Sequence, residues 1–190
     1  MNITEIQTGR NPPNDIFTVI EISSYSTPVK YEINKNCGNI FVDRFIPVAM
    51  FYPYNYGYIN KTLSEDGDCL DSLVITPYSI IPKSVIRCVP IGILKIIDES
   101  GKDNKIICIP NKKITEEYNS IKDIQDLKNN IKDKIQNFFY NYKKLEKNKW
   151  IKIIGWGNKK EAHNEISKSI KNYKKNVYKN KNKKKLKKNV

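Results

Sequence analysis

The sequence predicts an α+β fold with a mainly β core: a small barrel or curled sheet of short strands, with helices packed outside. Three observations predict it. Short β-rich runs punctuated by Pro, Gly and Asn fill the chain up to about residue 110. Helical periodicity begins only after residue 120. A chain of 190 residues buries roughly 70% of the surface that its unfolded form exposes, so the core needs no disulfide or structural metal.

Residues 1–15, with Pro12-Pro13, read as an extended lead-in. Residues 17–22 and 28–33 read as strands, Cys37-Gly38-Asn39 as a turn, and 40–45 as a third strand. Residues 51–59 are aromatic but interrupted by Pro53, Asn55 and Gly57, which suits a packed strand–turn segment. A loop over 64–71 leads into a strand at 72–76, and Pro77 and Pro82 bracket a turn. Residues 85–97 form a long strand bent at a bulge by Pro90 and Gly92. Gly101 turns the chain back into a strand at 105–109, making a hairpin. Leu127, Ile131, Ile135, Phe138 and Tyr142 recur at steps of three and four, one face of a helix that Asp123 or Asp126 could cap. Residues 150–156 form a short strand, and Ala162, Ile166, Ile170 and Tyr173 mark a final amphipathic helix. The chain shows no internal repeat.

Of the 34 basic residues, ten lie in residues 171–190 with no acid among them, which leaves 24 against 20 acids in the remainder. The body is therefore only mildly basic. The reading is a folded domain over 1–173 and a disordered, Lys/Asn-rich tail over 174–190. No run of about 18 apolar residues exists, and no basic-then-apolar leader opens the chain, so a membrane span and a signal peptide are not expected. Cys37, Cys69, Cys88 and Cys108 form no C-x-x-C pair and read as mostly buried, reduced thiols of a cytoplasmic protein.

The densest chemical signal is Asp66-Gly67-Asp68-Cys69-Leu70-Asp71. If extended, it points Asp66 and Asp68 to one side. Two such charges 4 Å apart repel by about 4 kcal/mol at an effective dielectric of 20, which a hard divalent cation would relieve. The glycine stands in the wrong place for an EF-hand, and Pro77 stands where that loop closes with glutamate. Asp98 and Asp103 flank the hairpin turn just before Lys105, and Lys30 and Glu32 share a strand face by the period of two. Tyr52, Tyr54, Tyr56 and Tyr58 alternate, a pattern that by itself indicates core packing. The single histidine, His163, reads as a surface residue, which removes His-rich metal sites and a Ser-His-Asp triad. No P-loop motif is present.

Together, Lys30-Tyr31-Glu32, Phe41-Val42-Asp43-Arg44-Phe45, Phe51-Tyr52-Pro53-Tyr54-Asn55-Tyr56-Gly57-Tyr58, the acidic loop, residues 92–98, Asp103 with Lys105, and Tyr142-Lys143 closely resemble family I soluble inorganic pyrophosphatases of the bacterial short form. The likeness runs from about residue 16 to about residue 156. It implies a five-stranded OB-like barrel and the Mg²⁺-dependent hydrolysis of pyrophosphate, with several Mg²⁺ per site and Mn²⁺ as a substitute. It implies Asp66, Asp71, Asp98 and Asp103 as metal ligands and Asp68 as the general base. Lys30, Arg44, Tyr56, Lys105, Tyr142 and Lys143 would hold the phosphates, supported by Glu21, Glu32 and Tyr52. It also implies a cytoplasmic homo-oligomer, a hexamer. Cys69 departs from the family, which has Pro or Glu there. Two other readings remain: an OB-like nucleic-acid-binding module helped by the basic tail, and a weakly active relative of the enzyme.

Overall fold

A computed structural model describes residues 3–35 and 37–186. Strands β1 (Ile16–Ile22), β4 (Asn55–Ile59), β5 (Asp71–Val74), β6 (Val85–Asp98) and β8 (Lys105–Pro110) pair in the cyclic order β1-β4-β5-β8-β6 and back to β1. Five strands thus close on themselves as the OB-like barrel expected. Closure leaves these strands buried on both faces, which is why Lys105–Pro110 is buried at all six positions and reads as an almost continuous apolar run. Alternate residues feed two cores. Leu73, Ile107 and Ile109 join the aromatic cluster beneath helix α1 (Asn129–Asn141). Val74, Ile106 and Cys108 join the cluster that receives Ala162 and Ile166 from helix α2 (Lys159–Leu186).

Every pairing in the ring is antiparallel except β5 with β8. Side-by-side parallel alignment puts the first residues of both strands at one end of the barrel, with Asp71 opposite Lys105. Because β6 runs antiparallel to β8, it ends at Asp98 at that same end. The bulge expected on β6 falls between Pro90 and Gly92. Gly57 lets β4 press against β1: a Cβ there would lie 1.9 Å from the Val19 carbonyl oxygen.

Three elements extend this frame. Strand β9 (Ile151–Asn158) pairs with β6, as does the two-residue β7 (Gly101–Lys102). The separate hairpin of β2 (Val29–Ile33) and β3 (Ile40–Phe45) carries Lys30 opposite Arg44.

Some sequence expectations need correction. The lead-in contains a 3-10 turn at Ile3–Glu5 and an isolated bridge between Asn11 and Asp15. Asp123 and Asp126 do cap, but they close a capping box on the 3-10 turn Ile124–Asp126, and α1 begins after Lys128 without a side-chain cap. Helix α2 runs as far as Leu186, into the segment read as a tail from residue 174; residues 187–190 lie outside the described residues. Lysine is a good helix former, and a helix already docked on the barrel supplies the costly nucleus from which the extension propagates. His163, read as a surface residue, is partly buried, with its Nε2 shielded from solvent. All four cysteines are free thiols. Cys88 and Cys108 are buried, Cys69 is half-buried, and Cys37 is exposed. No helix among the described residues is long and apolar enough to cross a membrane.

Candidate active site

The end of the barrel where β5 and β8 start and β6 stops opens into a cavity of about 650 Å³. It is lined by Asp66, Asp68, Asp71, Asp98 and Asp103, by Lys30, Arg44, Lys105 and Lys143, and by Tyr56, Tyr142, Glu21 and Glu32. Every site residue expected from the sequence lines it except Tyr52. That ring lies beneath, packed on Tyr56 at 5.0 Å and on Phe138 at 4.5 Å between centroids. Residues as far apart along the chain as Glu21 and Lys143 thus line one cavity.

Lys105 sits at the centre and is 2% exposed. Its ammonium donates to both Asp71 and Asp103, and Tyr56 Oη also donates to Asp71. Burial pulls the Lys105 pKa down, but the Asp103 and Asp71 carboxylates outweigh it and hold the group well above its usual value. The floor is aromatic. The Phe138 and Tyr142 rings stack at 5.2 Å, and Phe139 lies across Tyr142.

The acidic loop differs from the extended form. A turn closes between Ser64 and Gly67, and Gly67 takes φ +93°, which favours glycine. Asp66 Oδ1 accepts the Asp68 N–H at 2.9 Å. Both carboxylates line the cavity from an exposed loop, and the Asp68 side chain is 79% exposed at the rim. Burial raises the Asp66 pKa, and the charges of Asp103, Asp71 and Asp68 add to the rise. Asp98 goes the other way: burial opposes its ionisation, but Lys143 at 2.7 Å and the Ser100 N–H hold its pKa below the ordinary carboxylate range. Lys30 and Arg44 reach in from the β2–β3 hairpin, held by Glu32, Asp43 and Glu146.

Several lining residues were not singled out in the sequence. Lys35 lies 3.4 Å from Asp68 Oδ1, and Glu99 and Lys149 pair at the opposite rim. Tyr58 lines the cavity, and its Oη is buried without a hydrogen-bond partner among the described residues. The tyrosine alternation signalled Tyr58 only as core, and the surface lysines carried no signal at all.

Glu21 accepts the Ile33 N–H at 2.8 Å, and burial pushes its carboxyl up to about 8. A carboxyl raised in the fold binds its proton more tightly there than in the unfolded chain. Its stabilising contribution is full below about 4.5 and is lost as pH rises through about 8. Urea midpoints of the metal-free protein are expected to fall across that window, and Glu21→Gln should flatten the fall by a few kcal/mol. An identical slope in the variant would remove Glu21 as its source.

The same architecture recurs in known proteins. The family profile described as inorganic pyrophosphatase matches residues 18–174. The chain belongs to the inorganic pyrophosphatase family. A pyrophosphatase of Buchnera aphidicola (subsp. Baizongia pistaciae) is 59% identical over 162 residues, covering 85% of this chain and 93% of the relative. The pyrophosphatase of Escherichia coli K12 is 52% identical over 166 residues, covering 87% and 94%. The inorganic pyrophosphatase structure from Coxiella burnetii superposes with TM-score 0.86 at 40% identity, over 88% of this chain and 99% of that one. That from Thermus thermophilus gives 0.85 at 38%, over 92% and 99%.

Inorganic pyrophosphatases of this family are metal-dependent. The donors present fit a hard divalent cation. The cavity holds eight carboxyl groups against six cationic side chains, so with Glu21 protonated it still carries a formal surplus of one negative charge. Its donors are oxygens apart from the Cys69 thiol, whose pKa burial raises, and His163 does not line it.

Proposed function

We propose that this chain hydrolyses inorganic pyrophosphate to two orthophosphates with Mg²⁺. One observation carries the reading: aspartates from the acidic loop, the end of β6 and the turn before β8 converge on one cavity opposite Lys30, Arg44 and Lys143. A diphosphate brings more negative charge to walls that already have a surplus, so the lysines and arginine alone do not balance it. Asp66, Asp71, Asp98 and Asp103 would hold Mg²⁺, which supplies Lewis acidity and charge neutralisation, with Mn²⁺ a substitute of like donor preference.

The chain's own groups do the rest. Asp68 stands at the rim, exposed and two residues from Asp66, where it would take the proton of the attacking water. Lys30, Arg44 and Lys143 already have carboxylate partners, so they would bind phosphate oxygens by exchanging one anion for another. Tyr56 and Tyr142, fixed by the aromatic floor, offer hydroxyls whose pKa burial raises, so they remain protonated donors. Lys105 would position Asp71 and Asp103, and Glu21, Glu32 and Tyr52 would support the wall. In phosphoryl transfer, such placement and electrostatics supply most of the acceleration.

The surplus of acids disfavours the alternative of a barrel that binds nucleic acid in this cleft, since it would repel a phosphate backbone. Intact carboxylates at every proposed ligand position also speak against a weakly active relative. The family likeness supports a homo-oligomer, a hexamer, and the exposed Tyr78 and Ile81 are apolar surface that another copy would cover. Free thiols at all four cysteines suit a cytoplasmic location. Phosphate release from pyrophosphate is expected with Mg²⁺ and should vanish with chelator; equal release in both would refute the metal requirement.

A further inference from the structure

We propose that the C-terminal part of α2 is a nucleic-acid tether, binding the phosphate backbone without base specificity. The family match ends at residue 174, but α2 runs on to Leu186. From Lys171 to Leu186 the sequence carries Lys171, Lys174, Lys175, Lys179, Lys181, Lys183, Lys184 and Lys185 and no acid. Sixteen helical residues span about 24 Å, against one phosphate charge per ~1.7 Å of duplex axis. Lysines one turn apart, such as Lys171 with Lys175 and Lys175 with Lys179, repel each other along the helix. A polyanion laid along it relieves that repulsion and releases counterions. A lipid surface fits less well: beyond residue 173 only Val177, Tyr178, Leu186 and Val190 are apolar, too few for a membrane-facing stripe.

The tether leaves the body beside the cavity mouth. Ser169 accepts the Leu63 N–H through its carbonyl at 3.0 Å, and Lys168 pairs with Glu65 at 2.7 Å, on the loop that carries Asp66 and Asp68. Joining nucleoside triphosphates into a chain releases pyrophosphate at the nucleic acid, so this tether would hold the proposed activity where its substrate forms.

The test uses the full-length protein, a form lacking residues 174–190, and a variant carrying Lys→Gln at 174, 175, 179, 181, 183, 184 and 185, which keeps good helix formers and removes charge. Fluorescence anisotropy with a labelled DNA duplex of about 20 base pairs should show binding that weakens about 100-fold or more between roughly 50 and 200 mM salt. Both altered forms should bind at least about tenfold more weakly at the lower salt, with unchanged pyrophosphate hydrolysis. No duplex binding by the full chain, equal binding by the glutamine variant, or capture by phosphatidylglycerol vesicles but not by duplex would each overturn the tether. Hydrolysis is read separately, so loss of the tether and loss of the proposed activity are told apart.

Discussion

Asp68→Asn should lower turnover by about 10²–10⁴-fold, the range a positioned general base contributes, while the thermal midpoint stays close to that of the parent protein. The side chain is mostly exposed, and its one ion pair, to Lys35 at 3.4 Å, is a rim contact of little energetic weight. Asparagine keeps the size and still accepts a hydrogen bond, and the backbone N–H that anchors the loop on Asp66 is untouched. What it lacks is an oxygen able to take a proton. Steady-state phosphate release, with Mg²⁺ binding followed by calorimetry, should show lost turnover beside retained metal affinity. Near-normal turnover would take Asp68 out of the role of base.

Lys105→Met should produce the largest loss of stability, about 3–5 kcal/mol, the usual result of removing one partner from a buried ion pair. Methionine fills similar volume, so the loss reads mostly as electrostatics. Asp71 and Asp103 would then face each other without the ammonium that joins them, and Tyr56 would retain only its bond to Asp71. For a chain of this size that corresponds to a fall of roughly 10 °C in the thermal midpoint in chelator. Because the abandoned carboxylates are the proposed Mg²⁺ ligands, millimolar Mg²⁺ should restore the variant by more degrees than it adds to the parent. An unchanged midpoint in chelator would show that the triad is electrostatically neutral to folding. A uniform metal effect on both proteins would separate Asp71 and Asp103 from metal binding.

Both predictions begin from residues that the sequence singled out, for different reasons. Asp68 stood out because three acids within six residues are hard to keep apart in a loop. Lys105 stood out as the base that follows Asp98 and Asp103 and through the resemblance to a family motif, but nothing local made it the centre of the site. Its centrality comes from a single parallel pairing, β5 with β8, which a reading of short strands as mostly antiparallel does not specify. The acidic loop shows the same limit on a smaller scale. Its composition was legible, but its shape was not: the positive φ of Gly67 turns an expected extended segment into a tight turn in which Asp66 accepts the Asp68 backbone N–H.

The α2 extension shows a different limit of composition. Composition alone describes a lysine-rich, acid-free segment as disordered, because it cannot bury enough apolar surface to offset ordering. Here the first half of the helix is fixed by Ala162 and Ile166 in the barrel's flank, so the second half needs only to propagate.

What the sequence determined by itself was local and chemical: strand and helix periods, the β6 bulge at Pro90 and Gly92, the inventory of carboxylates, and the concentration of charge at one end. These follow from the side chains' own sizes, charges and spacings along a few residues. The tertiary structure decided which of those groups meet. Only ring closure and the parallel alignment of two strand starts bring Asp71, Asp98 and Lys105 to one end of the barrel. That convergence depends on contacts between residues distant in sequence, which no local pattern encodes.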